Sequence, residues 1–437
     1  MDQTTGVLVI GGGIAGIQAA LDAAEQGVDV YLVEQKPSIG GHMAQLDKTF
    51  PTLDCSACIL TPKMVEVARH PNIRLLTYSE LQEVKRNGES FEVKILKKPR
   101  FVDETKCTGC GTCAQNCPVE VPNEFDMGIG VRKAIYVPFP QAVPLKYTID
   151  EEHCLRLTIG GIKCGICGRI CQAKAVNFDQ KPEVISLTVG AIIIATGFTP
   201  FDASKKSEYG YGRYINVITS LELERLLSAS GPTAGHIMRL SDGRIPKEVA
   251  FIQCVGSRDP HAGRSFCSRA CCMCAIKNGI LLKEHVHDID ITVFGTDIRA
   301  YGKGFEEFYQ RAKEEFNIHF IRGRVSRILE VPDTRNLLIR AEDTETGQVI
   351  EKEFDMAVLS VGMEPSSGTL ELSKILDIPM DEYGFLQEEH IKTNPIATKA
   401  KGVFIAGTVR GPKDIPDSVA DASASAIKAV AFLGRQK

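Results

Sequence analysis

The chain has 437 residues, 43% of them hydrophobic, and a net charge of −4. That length accommodates two or three domains with ample core. The mild acidity lacks the basic footprint of a nucleic-acid binder, and no apolar run reaches the roughly eighteen residues of a transmembrane helix. The fifteen cysteines fall in groups. The first strand starts almost at Met1, leaving no space for a signal peptide, so a cytoplasmic protein is expected. In such a chain cysteines serve metals or redox chemistry more readily than structural disulfides.

Gly6–Ile10 is an apolar run of the buried parallel-strand type. Gly11, Gly13 and Gly16 then give G-x-G-x-x-G, with Ile14 and Ala15 inside it. The first glycine permits the tight turn, the second lets backbone approach a pyrophosphate, and the third lets the helix pack on the sheet. The pattern predicts a helix over Ile17–Gln26, ended by Gly27, and a strand over Val28–Val33. Glu34, followed by Gln35, stands where an acid takes ribose hydroxyls. Alone the glycines fit an ordinary turn; strand, helix, strand and acid together predict a dinucleotide site.

Pro37–Met43 carries a second glycine pair, Gly40 and Gly41, then His42. In flavoproteins with two dinucleotide domains such a pair lies along the FAD, where His42 would contact the flavin; a solvated loop histidine is the other reading. Cys55 and Cys58 follow as C-x-x-C before a helix-like Thr61–His70. That spacing fits a catalytic dithiol, half a metal site or two small buried residues. Asn72–Thr77 and Phe91–Leu96 alternate as strands.

Cys107, Cys110, Cys113 and Cys117 form C-x-x-C-x-x-C-x-x-x-C-P, the ferredoxin run for a [4Fe–4S] cluster, with a zinc knuckle as rival. Cys154, Cys164, Cys167 and Cys171 form a second run with a long first gap. In two-cluster ferredoxins the fourth cysteine of each run serves the other cluster. One cluster is therefore expected on Cys107, Cys110, Cys113 and Cys171, the other on Cys117, Cys154, Cys164 and Cys167. Val121–Tyr147 between the runs reads as an ordered loop.

Thr188–Phe198 is a buried strand ending in Ala195, Thr196 and Gly197, where the chain is expected to re-enter the FAD domain. Lys247–Val255 should open a second dinucleotide unit, but no second glycine fingerprint follows. Cys254, Cys267, Cys271 and Cys272 come instead, four thiolates for a third cluster, with Cys274 as spare. Ala275–His285 and Phe305–Phe316 read as helices; Asp290–Gly295, Ile318–Val325 and Met356–Val361 read as strands. Arg299 and Tyr301–Gly304 fit a domain interface or a surface loop. Gly402–Gly407 resembles a closing FAD motif, with Thr408 where an aspartate is usual and Asp414 as substitute. Asp417–Leu433 is an Ala-rich helix whose N-terminal dipole would favour negative charge on the flavin.

These stretches resemble the A-type subunit of heterodisulfide reductase, through GGHMAQLDKTFPTLDCSACILTPKM, CTGCGTCAQNCPVEVP, RKAIYVPFPQAVP, QCVGSRD, CSRACC and DIRAYGKGFEEFY. The resemblance implies an α/β fold of two Rossmann-like, thioredoxin-reductase-type doubly wound domains with an inserted two-cluster ferredoxin domain, and an unusual [4Fe–4S] site on the C-x12-C-x3-C-C pattern. The expected divisions are 1–98 for the first part of the FAD domain, 99–182 for the insert, 183–245 for its continuation and linker, 246–365 for the second domain, and 366–437 for the return. Relative to the family, an N-terminal domain and a C-terminal ferredoxin module are expected to be missing. The implied function is an FAD and iron–sulfur subunit that converts two-electron to one-electron transfer and bifurcates electrons. The implied partners are B- and C-type subunits, ferredoxin, or hydrogenase and dehydrogenase proteins, around a homodimer core. The rivals are an NAD(P)H-dependent disulfide reductase using Cys55 and Cys58, the flavin subunit of a quinone-interacting membrane-associated oxidoreductase, and a scaffold with purely structural clusters.

Overall fold

The structure, a computed structural model, describes residues 6–158 and 164–434. Its first sheet has the order Ile73–Thr77, Val30–Glu34, Gly6–Ile10, Glu183–Ile194, Ser90–Lys97, Ser79–Asn87, with Val403–Ile405 also beside Glu183–Ile194. The strands around Gly6–Ile10 are parallel, and every residue of that strand is buried. Glu183–Ile194 starts earlier than the expected Thr188 and stops at Ile194, because it serves three neighbours. Its first half pairs antiparallel with Ser90–Lys97, and its second half runs parallel to Gly6–Ile10 and Val403–Ile405. The fingerprint helix is Ile14–Glu25, starting earlier than the sequence suggests. Gly13 is extended and acts as N-cap, so the second half of the glycine motif is itself the first helical turn.

The expected loop Val121–Tyr147 contains paired strands. Val131–Lys133 pairs with Glu120–Pro122, and Ile135–Tyr136 with Thr148–Ile149. Its distal part docks on the FAD domain, where Phe139, Ala142 and Val143 join the core. Buried Arg100 ties the insert down: its guanidinium donates to Thr148 Oγ1 (2.8 Å), Thr77 Oγ1 (2.6 Å) and the Pro37 carbonyl (2.7 Å).

The second domain has a parallel sheet ordered Val217–Thr219, Met356–Val361, Glu248–Val255, Asp290–Gly295, His319–Arg322. Ile318–Val325 is not one strand: the sheet strand ends at Arg322, and Val325–Glu330 begins a separate antiparallel sheet with Leu337–Asp343 and Gln348–Phe354. Helix Ser220–Leu227 carries a capping box of Thr219 and Glu222.

That helix joins the bodies. Glu224 accepts from Lys277 Nζ and from the Asp47 N–H (3.1 Å), while Lys277 also donates to the Lys48 carbonyl (3.0 Å). Arg225 pairs with Asp126 (2.9 Å) and donates to the Gln45 carbonyl (3.2 Å). Lys277 and Glu224 are only 1% exposed. Lys277→Met, which strands Glu224, should cost about 3–5 kcal/mol, read as an earlier denaturant midpoint for the second domain. Lys277→Met with Glu224→Leu should recover most of the loss.

Candidate functional site

The glycine loop is shaped by contacts that admit no side chain. A methyl at Gly16 would lie 1.7 Å from the Gly11 carbonyl oxygen, and one at Gly11 2.3 Å from that of Ala195. Gly13 is different: a methyl there meets nothing nearer than the Gly41 Cα at 3.9 Å. Gly41 packs against it, since a methyl on Gly41 would lie 2.9 Å from the Gly13 Cα, so the two glycine loops meet backbone to backbone. Beside Gly13 lie the first-turn N–H groups of the fingerprint helix, including those of Ile14 and Ala15, where no side chain caps. Glu34 is held from both sides, accepting from the Gly12 N–H (2.7 Å) and the Lys36 N–H (2.8 Å), and burial raises its carboxyl above the ordinary value. Gln35 next to it is exposed.

Ala195, Thr196 and Gly197 follow the central strand against this loop, and buried Thr196 Oγ1 has no partner. Gly407 also reaches it, since a methyl there would sit 2.9 Å from the Ala15 Cβ; Thr408 is buried next to it. A cradle of close-packed glycines, free helix N–H groups, a fixed carboxylate and an orphaned hydroxyl fits a dinucleotide-type cofactor.

His42 is not a solvated loop histidine. Nδ1 bonds Gln45 Oε1 (2.6 Å), Nε2 bonds the Phe198 carbonyl (3.0 Å), and burial lowers its pKa. Asp414 accepts from the Asp417 N–H (2.9 Å), so one of its oxygens already caps helix Ile415–Gly434. Cys55 caps helix Ser56–Arg69 and is joined to Cys58 by a disulfide.

In the insert, Cys107 and Cys154 lie in a small apolar core with Phe101, Ile135 and Ile149, flanked by Cys113, Cys117, Cys167 and Cys171. One cavity is lined by Cys117, Cys154, Cys164 and Cys167, with apolar residues such as Ile135, Ile149 and Leu155 around them. Burial pushes the Cys113 thiol up to about 12, helped by Cys107, Cys167 and Cys110. Burial pushes Cys167 up to about 11, helped by Cys154, Cys117 and Cys164. Cys171 Sγ accepts the Ala175 N–H at 3.4 Å. The span 159–163 inside the long Cys154–Cys164 gap lies outside the described residues.

The third group forms where the second fingerprint would stand. Strand Glu248–Val255 breaks register near its end, and Cys254 there takes φ of +62°. Cys271 and Cys272 open helix Cys271–His285, and Cys267 Sγ accepts the Arg269 N–H at 3.3 Å. Burial raises the Cys254 thiol to about 11, with Cys272 and Cys267 adding to it. Cys271 is pushed up by donating to Cys272, which is lowered to about 7 by accepting that bond. Cys274 is also buried, and burial pushes it up to about 12.

Among the described residues no three Cys, His, Asp or Glu side chains converge on a single-ion site. A [4Fe–4S] cube asks for something else, one thiolate per iron on a wider frame. Cys113, Cys167, Cys254 and Cys271, whose thiols burial or a neighbouring thiol pushes up, suit a cluster whose irons supply positive charge to the thiolate. Arg269 connects the third group to the cradle: it donates to Tyr301 Oη (2.7 Å) and to Asp417 (2.8 Å), on the first turn of the last helix. Tyr301 and Gly304 lie at this interface, Gly304 facing Pro51.

Residues 6–54 match the FAD dependent oxidoreductase family, and residues 100–123 the 4Fe-4S binding domain family. Among solved structures, thioredoxin reductase of Lactococcus lactis (FR conformation) superposes with a TM-score of 0.52 at 15% identity, covering 99% of both chains. That of T. acidophilum gives 0.51 at 14% identity, covering 98% of both. Identities this low speak for the fold alone. The chain thus sets a region matching the 4Fe-4S binding domain family into a thioredoxin-reductase-like frame whose first strands match the FAD dependent oxidoreductase family.

It is 56% identical over 419 residues to the iron-sulfur A-type subunit of the CoB–CoM heterodisulfide reductase of Methanocaldococcus jannaschii, covering 96% of this chain and 63% of that protein. It is 54% identical to the A-type subunit of the H(2):CoB-CoM heterodisulfide,ferredoxin reductase of Methanothermobacter thermautotrophicus, covering 97% and 63%. It is 46% identical to the A-type subunit of the ferredoxin/F(420)H(2)-dependent CoB-CoM heterodisulfide reductase of Methanosarcina acetivorans, covering 98% and 53%. The chain belongs to the family of heterodisulfide reductase A-type subunits, and spans between about half and two thirds of the length of these relatives. Among the described residues no helix is long and apolar enough to cross a membrane.

Sequence reasoning missed Arg100, Glu224, Arg225 and Lys277, which set how the parts meet. Only the T-x-x-E capping signal before Glu224 pointed there.

Gly13→Ala separates cofactor binding from folding. The methyl has space in the protein, so the thermal midpoint should hold while flavin content falls. Gly16→Ala should lower both, measured by flavin absorbance and melting.

Proposed function

We propose that this chain is the FAD and [4Fe–4S] electron-transfer subunit of a heterodisulfide-reductase-like complex. The observation that carries the reading is the third cysteine group: thiols stand at the end of strand Glu248–Val255, where a hydride-donor site would need glycines. A bound FAD supplies exchange between two-electron and one-electron transfer, which clusters carry one electron at a time. Gly13 leaves room for its pyrophosphate, Gly11, Gly16, Gly40 and Gly41 let the surrounding backbone pack closely, and Glu34 takes the ribose. Thr196 Oγ1, Thr408 and the start of helix Ile415–Gly434 face its other portion. The crossed ligand sets Cys107, Cys110, Cys113, Cys171 and Cys117, Cys154, Cys164, Cys167 hold two clusters; Cys254, Cys267, Cys271 and Cys272 hold a third.

The partners are further redox subunits of the B and C type, or ferredoxin, hydrogenase or dehydrogenase proteins, with a homodimer of this chain as core. Bifurcation is the finer part of the proposal, supported by cysteine groups in both the insert and the second domain of a chain that also carries the glycine cradle.

Anaerobically purified protein should contain about twelve irons per FAD; about eight would remove one cluster. Cys171→Ser should alter the EPR signal of the cluster on Cys107, Cys110 and Cys113, and an effect confined to the other cluster would overturn the crossed assignment. Potentiometry should find crossed one-electron potentials for the flavin. Uncrossed potentials would end bifurcation and leave the carrier role. Rapid flavin reduction by NADH or NADPH in the isolated chain would favour the disulfide-reductase reading instead.

A further inference from the structure

Thirteen of the cysteines are free thiols, and one pair, Cys55–Cys58, is joined. None of the cluster assignments uses this pair. The two sulfurs differ. Cys58 is exposed, as is Ile59 beside it, whereas Cys55 is half-buried. Cys55 Sγ also accepts the Cys58 N–H at 3.3 Å, at the N-terminus of the 14-residue helix Ser56–Arg69. An incoming thiolate therefore reaches Cys58, while negative charge on Cys55 is received by a backbone N–H and the helix end.

The surroundings give the pair a consequence. Cys55 pairs with Lys48 in the hairpin Lys48–Thr49/Asp54–Cys55. The Lys48 carbonyl accepts from buried Lys277, on the helix that carries Cys271 and Cys272. Phe50 and Leu53 at the hairpin's tip pack on the core of the second domain, Phe50 edge-to-face on Phe305 with centroids 5.3 Å apart. On the other side Ser56 Oγ donates to the Met43 carbonyl (2.7 Å), within the turn that begins at Gly41. The pair thus sits at the foot of the strap between the flavin cradle and the third cysteine group.

We propose that Cys55–Cys58 is an exchangeable disulfide–dithiol site that accepts two electrons from a dithiol co-reactant. One thiolate of the co-reactant attacks Cys58 Sγ, the Cys55–Cys58 bond breaks, and Cys55 leaves as a thiolate. The second thiol of the co-reactant then attacks the mixed disulfide, releasing Cys58. The co-reactant ends as a disulfide and the protein as a dithiol; two electrons have moved, and the protons follow the thiols. The site goes beyond the cluster-carrier reading and does not require it.

The test uses the full chain, purified anaerobically with flavin and iron intact, equilibrated in buffers of reduced and oxidised dithiothreitol. Alkylation and peptide mass spectrometry should find Cys55 and Cys58 labelled together, in a two-electron transition. Cys55→Ser should form a mixed disulfide at Cys58 with hydroxyethyl disulfide, releasing mercaptoethanol, about tenfold faster than Cys58→Ser does at Cys55. Failure of the wild-type pair to label at any dithiol ratio would overturn the proposal, as would labelling of one cysteine without the other. Loss of about four irons in either serine variant, with flavin retained, would also overturn it, making the pair cluster ligands. Wild-type iron and flavin content, read on the same samples, reports separately on the carrier reading.

Discussion

Two buried ion pairs on one short helix fix how the parts of this molecule meet. Glu224 and Arg225 are adjacent, each almost without exposure, and they point to different bodies. Glu224 faces Lys277 of the second domain and the Asp47–Lys48 backbone; Arg225 faces Asp126 of the insert and the Gln45 carbonyl. A buried charge costs several kcal/mol unless its partner is in place. Any displaced docking would strand at least one of these four charges, so the penalty selects a single arrangement more than it adds stability. Electron transfer between fixed cofactors benefits from that kind of constraint.

The second domain shows how a dinucleotide frame can be turned to another use without altering its sheet. A parallel strand ending against a helix N-terminus leaves unpaired N–H groups and a tight turn, a place suited to anions. Phosphate is one anion and thiolate sulfur is another. Here Cys254 ends the strand in a left-handed conformation and Cys271 and Cys272 open the helix. The cysteines stand where glycines would have been, and Gly256, two residues after Cys254 and with φ of +71°, presses so close to Phe201 that a methyl would lie 2.2 Å from the ring. The frame is kept; the loop that would admit a nucleotide is not.

The glycine fingerprint, Glu34 and the ferredoxin run stand out in the sequence because each is local: their residues are neighbours in the chain, or one strand–helix–strand apart. The third cysteine group was legible by density. What was not legible depends on packing between distant segments. Arg100, Arg225 and Lys277 look like surface cations in any window of sequence, and only the tertiary structure reveals that they are buried. Val121–Tyr147 read as a loop because prolines and glycines break its periodicity, yet its short strands pair with segments lying outside or at the edge of that stretch. His42 was undecided for a similar reason, since its second partner is Phe198, 156 residues away.

The contact through Arg269 ties these observations together. Its backbone N–H bonds Cys267 Sγ, while its guanidinium bonds Tyr301 and Asp417. One residue therefore touches both the third cysteine group and the first turn of helix Ile415–Gly434, whose Ser418 lies 3.7 Å from a methyl placed on Gly407. The side chain is only part-buried, with Asp417 47% exposed, so the ion pair itself adds little energy. Its effect is geometric. The buried pairs on helix Ser220–Leu227 set the position of the second domain as a whole, and Arg269 ties Cys267 to the first turn of helix Ile415–Gly434. A chain that moved its second domain to bring in a diffusible hydride donor would have to break both.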